Sequence, residues 1–128
     1  MIVGIGIDLV EIDRVEHMIE SLGDRMYSRL FSDDEASYIR SKPLPAQHAA
    51  VRLAAKEAAF KALAGNDLAR RITWTDVEVI SDRNGIPSIK LHGTAQQRAD
   101  ELGITRIHVS LTHSRDSAAA MVVLETAG

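Results

Sequence analysis

Residues 2 to 8, Ile-Val-Gly-Ile-Gly-Ile-Asp, alternate with a period of two, and this constrains the chain more than any other segment. A strand sends successive side chains to opposite faces, so Val3, Ile5 and Ile7 share one face and Gly4, Gly6 and Asp8 the other. The strand reads as buried, with its second face cleared of side chains until Asp8. Glycines so placed admit either a closely packed helix or a ligand, and the pattern does not choose between them. A carboxylate ending an otherwise apolar strand is costly to bury unless a cation or strong donors meet it. Asp8 is therefore either a helix cap or ion-pair partner, or a ligand to a cation.

A helix able to lie on so bare a face must itself be smooth. From Ala46 to Ala64 the chain is rich in alanine and free of glycine and proline, and Gly65-Asn66 is a natural stop. Within this helix Glu57 and Lys61 are four residues apart and project together. Taken alone they are an ordinary exposed pair worth a few tenths of a kcal/mol. If the strand end lies beside the helix midpoint, Asp8 and Glu57 supply two oxygen ligands. Magnesium suits such a pair, because it keeps several waters and takes one or two carboxylates plus substrate phosphates. Arg52, Lys56 and Lys61 are cations for the remaining phosphate oxygens. They cannot all share one helix face, so at least one must meet a different group or the solvent.

Around these two segments the sequence predicts shorter elements. Asp13 with Glu16 has the capping-box pattern ahead of a stripe of Val15, Met18, Ile19 and Leu22, ended by Gly23. A second short helix covers Asp24 to Leu30, and Ser32 with Glu35 repeats the capping signature for a third. Trp74 to Ile80 and Ile86 to Leu91 flank an Asp82-Arg83-Asn84-Gly85 turn as a hairpin. A capped helix runs from Thr94 to Leu102, and Ile107 to Thr112 returns as Ala118 to Leu124 in a terminal hairpin. Helices early and hairpins late imply an α+β fold, a mostly antiparallel sheet packed by helices that include the long Ala-rich one. The 128 residues suffice for a single domain, 1–128.

Composition removes several classes of function. Aromatics are 4% and net charge is −3, which argues against nucleic acid binding through stacking platforms along a basic groove. Cysteine is missing, so disulfides, thiolate zinc sites and cysteine nucleophiles are excluded, and a cytoplasmic location is expected. The apolar N-terminus reaches Asp8 without a basic leader and reads as neither signal peptide nor membrane span. Gly4-Ile5-Gly6 lacks the third glycine of a dinucleotide motif, and no P-loop or nucleophile elbow occurs. In His108-Val109-Ser110-Leu111-Thr112-His113 the apolar residues point one way and His108, Ser110 and Thr112 the other. His108 and His113 are five apart, on opposite faces, so this is no histidine metal site.

Three motifs occur in order: Gly4-Ile5-Gly6-Ile7-Asp8-Leu9-Val10-Glu11-Ile12 with Arg14, Ala54-Ala55-Lys56-Glu57-Ala58 with Lys61-Ala62, and His108 to His113. Together they closely resemble the 4′-phosphopantetheinyl transferases, of the small holo-acyl-carrier-protein synthase type. The resemblance spans almost the whole chain and implies that family's fold. It further implies magnesium-dependent transfer of 4′-phosphopantetheine from coenzyme A to a serine of apo acyl carrier protein, in fatty acid biosynthesis, with release of adenosine 3′,5′-bisphosphate. On this template Asp8 and Glu57 match the metal ligands and Lys61 the lysine beside the pyrophosphate. Ser110, Thr112 and His113 match residues lining the coenzyme A site, and Arg52 and Lys56 match phosphate contacts. Arg14, Met18 and Arg25 match the surface that meets the acidic carrier protein. The family also implies a homotrimer with active sites shared between subunits. One departure is Leu53, where many relatives carry an aromatic. The acceptor of the serine proton stays open between Glu57 and the acids at Asp33 to Glu35. So do two other functions for the same residues, a metal-dependent nucleotide pyrophosphohydrolase and a non-catalytic nucleotide-binding module.

Overall fold

The computed structural model describes residues 1–128. β1 (Ile2–Glu11) passes directly into α1 (Ile12–Leu22), followed by α2 (Asp24–Leu30), α3 (Asp33–Arg40) and the long α4 (Pro45–Leu63). Two short 3-10 turns, Ala69–Arg71 and Trp74–Asp76, lead into β2 (Val77–Ser81) and β3 (Pro87–Leu91). After α5 (Gly93–Leu102) the chain closes with β4 (Ile104–His113) and β5 (Ser117–Thr126). β1, β5 and β4 form one antiparallel sheet with β5 in the centre, and β2 and β3 form a separate hairpin. The fold is α+β, as its pattern of elements implies.

α4 lies across the inner face of β1 and β5, and the glycines of β1 are the reason it can. A β-carbon on Gly6 would overlap the carbonyl oxygen of Ala58, and one on Gly4 that of Ala62. Backbone thus packs on backbone. Of the two uses open to a cleared strand face, helix packing is the one realised. Alanines 49, 50, 54, 55, 58 and 59 are buried around much of the helix circumference, so α4 is a central element without a wet face over most of its length.

The other face of β1 departs from expectation. Val3, Ile5, Ile7 and Leu9 are exposed, Ile7 at 63% and Leu9 at 66%, and Met121 of β5 stands beside them at 42%. The strand is buried on its glycine side and open on its apolar side, because α4 occupies one face and no element of the chain covers the other.

Boundaries differ where a tertiary contact overrides a local signal. β1 continues three residues beyond Asp8, and Glu11, not Asp13, precedes the first turn of α1, with no side-chain cap. The junction is held instead by Ile12 N–H donating to Asp116 O at 3.0 Å. The Ser32–Glu35 capping box forms in full. Trp74 belongs to a 3-10 turn, not to β2, where Asp76 Oδ2 accepts from Thr73 N–H at 3.1 Å. α5 also lacks a side-chain N-cap, although Gly103 ends it in the left-handed region as expected.

Gly6→Ala should therefore cost about 2–3 kcal/mol, since the new methyl group meets backbone and not a movable side chain. Urea denaturation of wild type and variant checks this, and an unchanged midpoint would contradict the packing described.

Candidate active site

Asp8 projects from the inner face of β1 toward the C-terminal half of α4, where Glu57 and Lys61 meet it. Lys61 Nζ donates to Asp8 Oδ1 at 2.9 Å and to Ile7 O at 2.9 Å. Asp8 Oδ2 is buried and takes no hydrogen bond while both carboxyls are ionised. The Glu57 carboxyl lies within hydrogen-bonding reach of the Asp8 carboxyl. Burial, then the hydrogen bond with Asp8 and its charge, push Glu57 up to about 7, against the opposing pull of Arg14 and Lys61. Burial also tends to raise Asp8, but its hydrogen bonds with Glu57 and Lys61 outweigh this and hold it below the usual carboxylate range. Two carboxyl groups and one orphaned oxygen can be satisfied by a shared proton or by a cation.

This arrangement fits a magnesium ion. Two carboxylates with an unpartnered buried oxygen form the partial oxygen set that this ion takes from proteins that also bind phosphates. No third acid or histidine joins them, so a metal with an all-protein ligand cage is not favoured. Lys61 is more than half exposed, and with two of its three ammonium hydrogens given to Ile7 O and Asp8 one is left for an anion beside the carboxylates.

A second centre lies at the opposite edge of the sheet. Arg52 is buried at 5% exposure, stacks 4.2 Å above the Tyr38 ring, and donates to His48 O at 3.3 Å and Ser81 Oγ at 3.1 Å. It lines a cleft of about 310 Å³ together with Ser110 and His113, whose ring is 2.7 Å from Gln47 Nε2. Desolvation, then the charges of Arg52 and Lys42, lower the His48 pKa. Thr112 is not brought here. It lies exposed on the outer sheet face opposite Ala119, the face it shares with Ser110 opposite Met121, and unlike Ser110 it does not line the cleft. Tyr38, Gln47, His48, Ser81, Gly85 and Pro87 complete the walls and were not singled out from sequence. Of these only Gly85, in the Asp82-Arg83-Asn84-Gly85 turn, carried a local signal.

Lys56 requires correction. The sequence places it among the phosphate contacts, yet it is wholly buried. Its ammonium donates to Glu35 Oε1 at 2.9 Å, to Trp74 O at 2.9 Å and to Val77 O. All three N–H groups are spent and none can reach a ligand. Glu35, one of the acids considered as proton acceptor, is equally committed, to Lys56, Ser32 N–H and Val79 N–H.

A third feature is an apolar groove of about 510 Å³ between α1 and α2, with Met18, Leu22, Met26 and Trp74 in its walls and Arg25 and Arg29 beside them. Arg14 stands farther along α1 next to Met18 and is near enough to influence Glu57. Arg14 and Arg25 both adjoin Met18, so the three form one surface, and the charge of Arg14 acts on Glu57. Trp74 is the residue sequence reading missed here, having been assigned to a strand.

A paired-carboxylate and lysine centre and a separate cleft with a buried arginine, on an α+β scaffold, suit chemistry on a phosphate group. Residues 4–122 match the family model of the 4′-phosphopantetheinyl transferase superfamily, and the chain belongs to that family. It is 46% identical over 125 residues to the holo-[acyl-carrier-protein] synthase of Solidesulfovibrio magneticus, covering 98% of this chain and 99% of that one. The crystal structure of the Neisseria meningitidis holo-[acyl-carrier-protein] synthase superposes with a TM-score of 0.86 at 26% identity, covering 98% of this chain and all of that one. The Bacillus anthracis synthase, solved in complex with coenzyme A (3′,5′-ADP), gives a TM-score of 0.78 at 32% identity with 99% of both chains covered.

The raised Glu57 pKa has a definite consequence for the metal-free protein. Its folded value of about 7 exceeds the ordinary 4.5, so the folded state binds this proton more tightly than the unfolded state. The resulting stabilisation is complete below pH 4.5 and is lost as pH rises through 7. In the presence of a chelator, denaturation midpoints of Glu57→Gln should lack the wild-type decline across that window; parallel profiles would overturn the assignment.

Proposed function

We propose that the chain is a holo-acyl-carrier-protein synthase, a single transferase domain that moves 4′-phosphopantetheine from coenzyme A to a serine hydroxyl of apo acyl carrier protein. The observation that carries this reading is the Asp8–Glu57–Lys61 centre together with the α1–α2 surface, where Arg14 acts on Glu57 and an apolar groove is flanked by Arg25 and Arg29, a feature suited to a protein acceptor. Water as acceptor would need only the first of these. The relatives' shared designation and the coenzyme A-bound neighbour support the same substrates.

The serine oxygen attacks the β-phosphorus of the coenzyme A pyrophosphate, a new P–O bond forms to serine, and the bond to the bridging oxygen breaks. Adenosine 3′,5′-bisphosphate leaves and the serine proton is released. Magnesium held by Asp8 and Glu57 would neutralise charge on the pyrophosphate. Lys61, fixed by Ile7 O and Asp8, directs its remaining N–H at a phosphate oxygen. Arg52, Ser110 and His113 hold the nucleotide end in the cleft. Arg14, Met18 and Arg25 receive an acidic amphipathic helix of the carrier, apolar side into the groove and carboxylates toward the arginines. The reaction belongs to the supply of holo carrier protein for fatty acid synthesis, and a cytoplasmic location accords with a chain that has no helix long and apolar enough to cross a membrane.

The two ligand centres sit toward opposite edges of the β1-β5-β4 sheet, with α4 between them. The open face of Val3, Ile5, Ile7, Leu9 and Met121 supports assembly of copies that brings the cleft of one chain to the carboxylates of the next. A homotrimer is the proposed state. Ile7→Glu should then dissociate it, and light scattering should change from three times the 14.0 kDa chain mass to that of one chain; a wild type that scatters as a monomer would contradict the assembly.

Incubation with apo acyl carrier protein, coenzyme A and magnesium should add phosphopantetheine to the carrier by intact mass. No adduct sinks the transferase reading, and nucleotide release without carrier favours the hydrolase. Asp8→Asn and Glu57→Gln should each lower kcat by about 100-fold or more while remaining folded. Arg14→Ala should mainly raise KM for the carrier, and a defect confined to coenzyme A would contradict its assignment.

A further inference from the structure

Lys56 adjoins Glu57 in the chain yet touches no ligand surface, and its environment is the most polar in the core. Its three N–H groups reach three separate segments: Glu35 of α3, Trp74 of the second 3-10 turn and Val77 at the start of β2. Glu35 in turn accepts from Ser32 N–H at 2.9 Å through Oε1 and from Val79 N–H at 2.9 Å through Oε2. Both side chains are almost completely buried. A buried ion pair of this kind contributes little net stability compared with apolar residues of the same volume. Stability alone does not account for it.

What the pair supplies is direction. α4 packs mostly through alanines, whose small side chains raise shallow ridges and resist rotation about the helix axis only weakly. On the β1 side the glycine contact sets how close the helix comes, through the carbonyls of Ala58 and Ala62. On the α3–β2 side the Lys56 ammonium is pinned to three oxygens that do not belong to α4. Neighbouring residues of a helix are about 100° apart, so the rotation that seats Lys56 also sets where Glu57 points and, a turn later, Lys61.

We propose that Lys56, clamped by Glu35, is a positioning residue: it holds α4 at the rotation that brings Glu57 and Lys61 onto Asp8. The inference rests on the reading of Asp8, Glu57 and Lys61 as the transfer centre. It assigns the lysine of the Lys56-Glu57 pair to the geometry of its neighbour and not to phosphate.

The test compares wild type, Lys56→Met and Glu35→Asp, the last keeping both charges while withdrawing the carboxylate by one methylene. Each is assayed well below its own melting temperature, with the folded fraction taken from circular dichroism. Binding of Mn²⁺ alone is measured by electron paramagnetic resonance, without coenzyme A or carrier. Displacement of the carboxylate by an ångström predicts a loss of about 100-fold in kcat per folded Lys56→Met molecule, together with weaker Mn²⁺ binding. Glu35→Asp should show the same pattern at smaller amplitude. Folded Lys56→Met with kcat and Mn²⁺ affinity within twofold of wild type overturns the proposal, as does a loss fully explained by the folded fraction. If Lys56→Met does not fold, Glu35→Asp decides by the same criteria. Wild type without transferase activity would instead count against the functional reading, and the Mn²⁺ titration would still judge the positioning role.

Discussion

Between β1 and α4 there is no room for a side chain. The carbonyls of Ala58 and Ala62 occupy the space that β-carbons on Gly6 and Gly4 would take, and most of the remaining architecture follows from that approach. It brings the helix backbone onto the strand, so Asp8, the next residue of that face after the two glycines, projects directly at the same turns of α4. There it finds Glu57 and Lys61. A larger separation would leave the two carboxyls to water, with ordinary pKa values and no shared proton or metal. The same contact leaves the strand's isoleucines facing outward.

Charge is distributed along α4 by depth. Lys61 is largely exposed, Glu57 half-buried, Arg52 buried but edge-on to a cleft, and Lys56 enclosed with every hydrogen committed. One helix therefore supplies two residues of the candidate active site, an arginine that lines the cleft and an internal strut, each at a different point on its circumference. The strut joins α3, the second 3-10 turn and β2, and the turn in question carries Trp74. Its ring packs edge-on to Phe60 of α4 at 4.9 Å and lines the groove between α1 and α2. Core, candidate active site and groove are thus linked through one helix, the groove by way of the Trp74–Phe60 contact.

Much of this was legible in the residues. Period-two spacing placed Gly4, Gly6 and Asp8 on one face, and a four-residue spacing placed Glu57 with Lys61, because those relations depend only on local backbone geometry. The Ser32–Glu35 cap was legible for the same reason. Asp13 failed as a cap because β1 runs on and Asp116 holds the junction from the far end of the chain. Lys56 was misread because a cation in a helix beside other cations looks the same whether its end meets solvent, phosphate or a buried glutamate twenty-one residues earlier.

The sequence by itself determined the elements, their faces, the identity of the candidate metal ligands and the family whose motifs they carry in order. Only the tertiary structure decided which lysine is free and which is buried, that Thr112 lies apart from the cleft, and that the carboxylate centre and the cleft occupy opposite edges of a sheet. The reason is physical. Spacing along a chain sets direction within one element, whereas burial, pairing and distance between elements arise from contacts among segments that the sequence lists far apart.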